Sequence, residues 1–217
     1  MFWALLVVVV VASAVGYAFR LPLAGGLGMW LGVGAPYVAL AALAVMRLRK
    51  EQRLWPLLRF RPGDPSLGIG LGVVLLGAAW LVAKWLLPLD TVEHAWLLRV
   101  FLLIGSASNL EVIGALLVLV GCEELVWRGW IQTELSERFG ARRGWVAAAA
   151  LYALAHLPTL FSLEDAAAGK NPLVLLAALG CGLCWSFLRE RTGRVVPGFF
   201  AHATFTYLAT QSFWRFV

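Results

Sequence analysis

The chain has 217 residues, 61% of them hydrophobic and 14% charged, with a mean hydropathy of +0.82. Soluble domains are about 45–50% apolar and about 25% charged, so a water-soluble globule and a disordered chain are both excluded, and a single integral membrane domain over residues 1–217 is expected. The net charge of +6 is, in so apolar a chain, the mark of Lys and Arg gathered on one membrane face rather than of a nucleic-acid partner.

A spanning helix needs about 20 mostly apolar residues. Such segments lie at 2–19, 24–46, 67–88, 110–133, 143–158, 172–188 and 195–213, so the expected fold is all-α, a polytopic transmembrane helical bundle of about seven spans. No positive residue precedes the first segment, which therefore reads as a retained helix rather than a cleaved signal. The stretch between the third and fourth spans reads as an outer loop. With the N-terminus in the cytoplasm, three connections fall inside. They are 47–66, the link around 134–142 with Arg138, Arg142 and Arg143, and the turn with Arg189, Arg191 and Arg194. Twelve basic residues lie there, and outside are only Arg20, Arg99, Lys170 and Arg215, as the positive-inside rule requires. Trp30, Trp80, Trp85, Trp96, Trp145 and Trp214 fall near proposed span ends, where interfacial tryptophans gather. The expected surroundings are a bacterial inner (plasma) membrane, with the lipid bilayer itself as a partner.

The spans contain residues that do not belong in lipid. Glu123, Glu124 and Arg128 stand in the fourth, His156 in the fifth and His202 in the seventh. Each charge at mid-bilayer costs about 2.5–3.5 kcal/mol on insertion scales, so such groups must meet one another or water. Glu124 and Arg128 are four residues apart on one helix face, acid first, which favours an ion pair. Glu123 is turned about 100° away and is the freer carboxylate. At about 1.5 Å per residue, Glu123 lies roughly 22 Å from Arg138, His156 roughly 20 Å from Arg143, and His202 roughly 12 Å from Arg194. Three helices are thus expected to converge on one internal site open to the cytoplasm. One carboxylate with two imidazoles suits activation of water: Glu123 as general base, a histidine to orient the water or protonate a leaving amine. His202 and Thr206 share a face at i and i+4, placed to donate to a developing oxyanion.

These residues fall in a recognisable pattern. Glu123-Glu124-Leu-Val-Trp-Arg128 matches EExxxR, Tyr152-Ala-Leu-Ala-His156 resembles FxxxH, and His202-Ala-Thr-Phe-Thr206 resembles HxxxN. In this order they resemble the CPBP intramembrane protease family, which includes type II CAAX prenyl endopeptidases and bacteriocin-processing or immunity homologues, over about residues 110–210. The resemblance implies that Glu123 and His156 activate water, that His202 serves the oxyanion, and that Glu124 and Arg128 form a structural pair. It also implies a membrane protein or lipidated peptide as substrate. Two positions depart from the pattern. Tyr152 adds a hydroxyl to the phenyl ring, and Thr206 offers one O–H where an Asn has two N–H.

The preferred chemistry needs no cofactor. An alternative keeps the fold and places a divalent metal such as zinc on Glu123, His156 and His202, with an open position for water. A non-catalytic immunity or scaffold protein is the alternative from another class. Cys181-Gly-Leu-Cys184, inside a span, reads as helix packing. His94 reads as a solvated loop residue.

Overall fold

A computed structural model describes residues 2–104 and 110–210; Trp214, Arg215 and the end of the expected seventh span lie outside them. Among the described residues the fold is all-helical. In chain order come α1 (Phe2–Ala18), a 3-10 turn (Leu21–Leu23), α2 (Leu27–Lys50), α3 (Leu54–Leu58), α4 (Asp64–Leu86) and α5 (His94–Ile104). Then follow α6 (Leu110–Glu124), a π-helical segment (Leu125–Ile131), α7 (Gln132–Phe139), α8 (Ala141–Ala155), α9 (Thr159–Ser162), α10 (Leu173–Thr192) and α11 (Val196–Thr210). Special backbone angles mark the corners. Gly140 turns α7 into α8 at φ +83°, and Gly193 ends α10 at φ +70° with its N–H on the Arg189 carbonyl, conformations that only a residue without Cβ adopts freely.

Among the described residues, four helical stretches are long and apolar enough to cross a membrane: Leu27–Lys50, Asp64–Leu86, Ala141–Ser162 and Leu173–Thr192. Phe2–Ala18 is apolar but shorter. The expected 110–133 span runs without a break from α6, which closes at the two glutamates, into the π-helical segment carrying Arg128. The stretch expected to be an outer loop contains α5 instead. His94 is not free in solvent either: its Nδ1 is 2.9 Å from the Leu87 carbonyl at the end of α4.

Contacts sort the connections onto two ends of the bundle. At one end Arg47 pairs with Glu134 at 2.7 Å, Arg53 pairs with Glu137, and Arg194 pairs with buried Asp64 at 2.6 Å. There too the Val195 N–H donates to the Leu57 carbonyl. The basic connections 47–66, 134–142 and 189–194 thus form one basic face. Trp3 touches Trp130, which donates to Glu134, so α1 starts at this end. At the other end Arg99 of α5 pairs with Asp165 at 3.0 Å, and Asn171 donates to the Trp96 carbonyl.

Small residues let two helices approach closely. A Cβ on Gly68 would stand 2.5 Å from Pro197 O, and one on Gly72 would stand 2.8 Å from Ala201 O. Gly68 and Gly72, four residues apart on one face of α4, are the bed on which α11 lies. That bed fixes the helix that carries His202.

Candidate active site

Glu123 and Glu124 close α6, and the helix widens at once into seven π-helical residues. Such widenings recur at functional sites because they re-aim side chains relative to regular 3.6-residue spacing. The two carboxylates diverge as adjacent helical residues must, and each finds partners on other helices.

Glu124 is buried at 1% exposure, and Arg128 at 0%. Their ion pair spans 3.4 Å. The Arg128 guanidinium lies over Tyr152 and Trp185 at 4.5 and 5.2 Å, so two aromatic faces supply part of the attraction that water would otherwise give. Glu124 Oε1 also lies 3.0 Å from His202 Nδ1. The sequence pairs Glu124 with Arg128 alone; the structure makes the same carboxylate the anchor of His202. Trp185 stacks on that imidazole, with centroids 3.8 Å apart and planes at 19°. Gly198 leaves the room this needs, since a Cβ there would stand 2.7 Å from Glu124 Oε2.

Glu123 takes a different partner. The Tyr152 hydroxyl donates to its Oε2 at 2.9 Å. One turn further on, His156 Nδ1 donates to the Tyr152 carbonyl at 2.8 Å. A carbonyl only accepts, so the proton sits on Nδ1 and the Nε2 of a neutral His156 is a lone-pair acceptor. Tyr37 of α2, also buried, accepts the Trp127 indole N–H at 3.0 Å.

A cavity of about 210 Å³ joins these groups, lined by Glu123, His156, His202, Thr206, Tyr152 and Tyr37 among largely apolar neighbours. The carboxylate and both imidazoles therefore border one space. Among the described residues no three His, Cys, Asp or Glu side chains stand close enough together to hold a metal ion. The Glu123, His156 and His202 set named for zinc is not such a group.

The sequence model of the family described as "Type II CAAX prenyl endopeptidase Rce1-like" matches residues 95–208, just over half the chain and all three motifs. The chain belongs to this family. No curated protein and no solved structure matches it. The CAAX endopeptidases are proteases, so membership supports an intramembrane protease.

Two residues of the site escape a reading of sequence motifs. Tyr37 lies outside the stretch matched to the Rce1-like family and reaches the cavity from α2, while Trp185 lies inside it but belongs to no motif. Trp30, near a proposed span end in the sequence, also lines the cavity. Aromatic residues in an apolar span carry no signal that separates interface, packing and site. Cys181 also lines the cavity, and all three cysteines are free.

Proposed function

We propose that this Rce1-like chain is an intramembrane endopeptidase that cuts a lipid-anchored or hydrophobic-tailed protein using water activated by Glu123 and His156. Glu123 takes one proton of the water while the Nε2 of His156 accepts a hydrogen bond from the other. The water oxygen attacks the peptide carbonyl carbon. His202, its Nδ1 held by Glu124, donates from Nε2 to the developing oxyanion and is doubly protonated in that role. The Thr206 hydroxyl is the second donor. The proton on Glu123 then passes to the leaving nitrogen as the C–N bond breaks. The apolar walls take the tail of the substrate.

The observation that carries this reading is that Glu123, His156 and His202 border one cavity while Glu124 is spent on Arg128 and His202. Glu123→Gln keeps the size of the side chain and the acceptor for Tyr152 but removes the base. Cleavage of a tailed substrate is expected to be abolished, with the variant still folded in the membrane. Cleavage retained by Glu123→Gln sinks the mechanism. A chelator is expected to leave the wild-type rate unchanged; loss restored by zinc would reinstate the metal-dependent version.

We infer further that the chain crosses the bilayer seven times, with its N-terminus and the basic face in the cytoplasm. The support is the alternation of helix ends: α1, α2, α4, the continuous α6–α7 rod, α8, α10 and α11 run in turn between the basic face and the opposite end.

A further inference from the structure

The cavity and the basic face lie in different halves of the molecule. Most of the lining comes from the part of each helix remote from its basic end, with Trp185 of α10 reaching further toward the basic side as part of the floor. Val15 and Phe19 stand near the close of α1, Met29 and Trp30 near the start of α2, and Val174 near the start of α10. Val100 of α5, the helix tied to the far end through Arg99 and Asp165, completes that rim.

Toward the basic face the cavity has a solid floor. Trp127, Arg128, Ile131 and Gln132 are all buried at 1% exposure or less. They are also cross-linked: the Trp127 indole donates to Tyr37 at 3.0 Å, and the Gln132 amide donates to the Ser186 carbonyl at 2.9 Å. A polypeptide could enter from that side only by taking apart this buried layer. Toward the opposite end the lining loosens. Phe19, Trp30, Val100, Val174 and Phe205 are half-buried and Ala177 is exposed, whereas Glu123, Tyr152, Trp185 and His202 at the floor are buried.

We propose that the site is entered from the face opposite the basic one, and that the substrate is a membrane-anchored protein cut where its apolar segment emerges at that face. With the basic face cytoplasmic, this is the extracytoplasmic side. The inference takes the cavity as the peptidase site and reverses the cytoplasmic access expected from the sequence. In this arrangement the apolar flank of the substrate lies against Val15, Val33, Leu116 and Leu119, and its peptide bond reaches Glu123 at the closed end.

Single-cysteine labelling tests it. In a background with Cys122, Cys181 and Cys184 changed to Ala, Val174→Cys and Phe205→Cys report the cavity and Arg142→Cys reports the basic face. Each is exposed to a membrane-impermeant charged thiol reagent in right-side-out and in inside-out vesicles. The expected result is that the cavity cysteines react from the side opposite to the one that labels Arg142→Cys. Labelling of all three from the same side overturns the proposal. Two other failures are separable from it: Arg142→Cys reacting from outside would overturn the membrane orientation, and cleavage by Glu123→Gln would overturn the peptidase reading.

Discussion

The Tyr152 hydroxyl is one oxygen atom that the sequence shows and whose use it does not. As a side chain it differs little from phenylalanine; in the fold it donates a hydrogen bond to the carboxylate proposed as base. Hydrogen bonds to charged groups contribute about 1.5–3 kcal/mol. Tyr152→Phe keeps the ring against Arg128, Trp127 and His156 and removes only that bond. It is expected to lower kcat roughly tenfold or more with KM unchanged, measured on a tailed peptide. Gly198 makes the matching point for Glu124. An added methyl would stand 2.7 Å from Oε2, and that carboxylate cannot swing aside without leaving Arg128 or His202. Gly198→Ala is therefore expected to cost about 1–3 kcal/mol, as overpacking does. It should also lose cleavage, seen as a lower thermal midpoint in detergent and a reduced rate. The i, i+4 spacing of Glu124 and Arg128 was legible because it is a property of one helix. The bonds of Glu124 to His202 and of Tyr152 to Glu123 were not, because they depend on how separate helices rotate and pack.

Charge anchors and apolar length reveal helices that cross; they say little about helices that stop part-way. α5 lies in a stretch too short and too mixed to read as a span, and its contacts with α10, with the loop before α10 and with the Leu21–Leu23 turn give it a place. Asp165 is the centre of those contacts. The Ala167 N–H, the Arg99 guanidinium and the Ala168 N–H hold its carboxyl below the ordinary value, which is about 3.9 in an unfolded chain. A depressed carboxyl stabilises the folded loop above that ordinary value, and the contribution is lost as the pH falls through the lower folded value. Asp165→Asn should thus be less stable than wild type at about pH 5–7, above the ordinary carboxyl value of about 3.9, with the difference closing under stronger acid. Thermal melts across that range check the sign. α4 shows the other limit. Its glycines are visible in the sequence, but which helix they receive is not. Gly72→Val, outside the residues matched to the family, is expected to lift α11 off its bed and lower activity without changing any motif residue. Cleavage assays beside melting curves would separate that displacement from loss of fold.

The whole bundle, rather than its motif-bearing part, makes the site. The core that surrounds the π-helical segment includes Val7, Val11 and Val15 of α1 and Val33, Tyr37 and Ala44 of α2, all buried. The cavity wall needs the same two helices, through Val15, Met29 and Tyr37. Residues 91–217 alone retain every motif residue yet lack that wall and the α4 bed. In a bilayer such a fragment inserts span by span, and helix association follows as a separate step driven by packing. Co-expressed halves cut between α4 and α5, residues 1–90 and 91–217, should therefore reassemble. The expected outcome is no cleavage from the second half by itself and recovery when both halves share the membrane. Recovery should be abolished by Tyr37→Ala in the first half or Glu123→Gln in the second. Activity from residues 91–217 alone would show that α1, α2 and α4 merely surround a site that is complete without them.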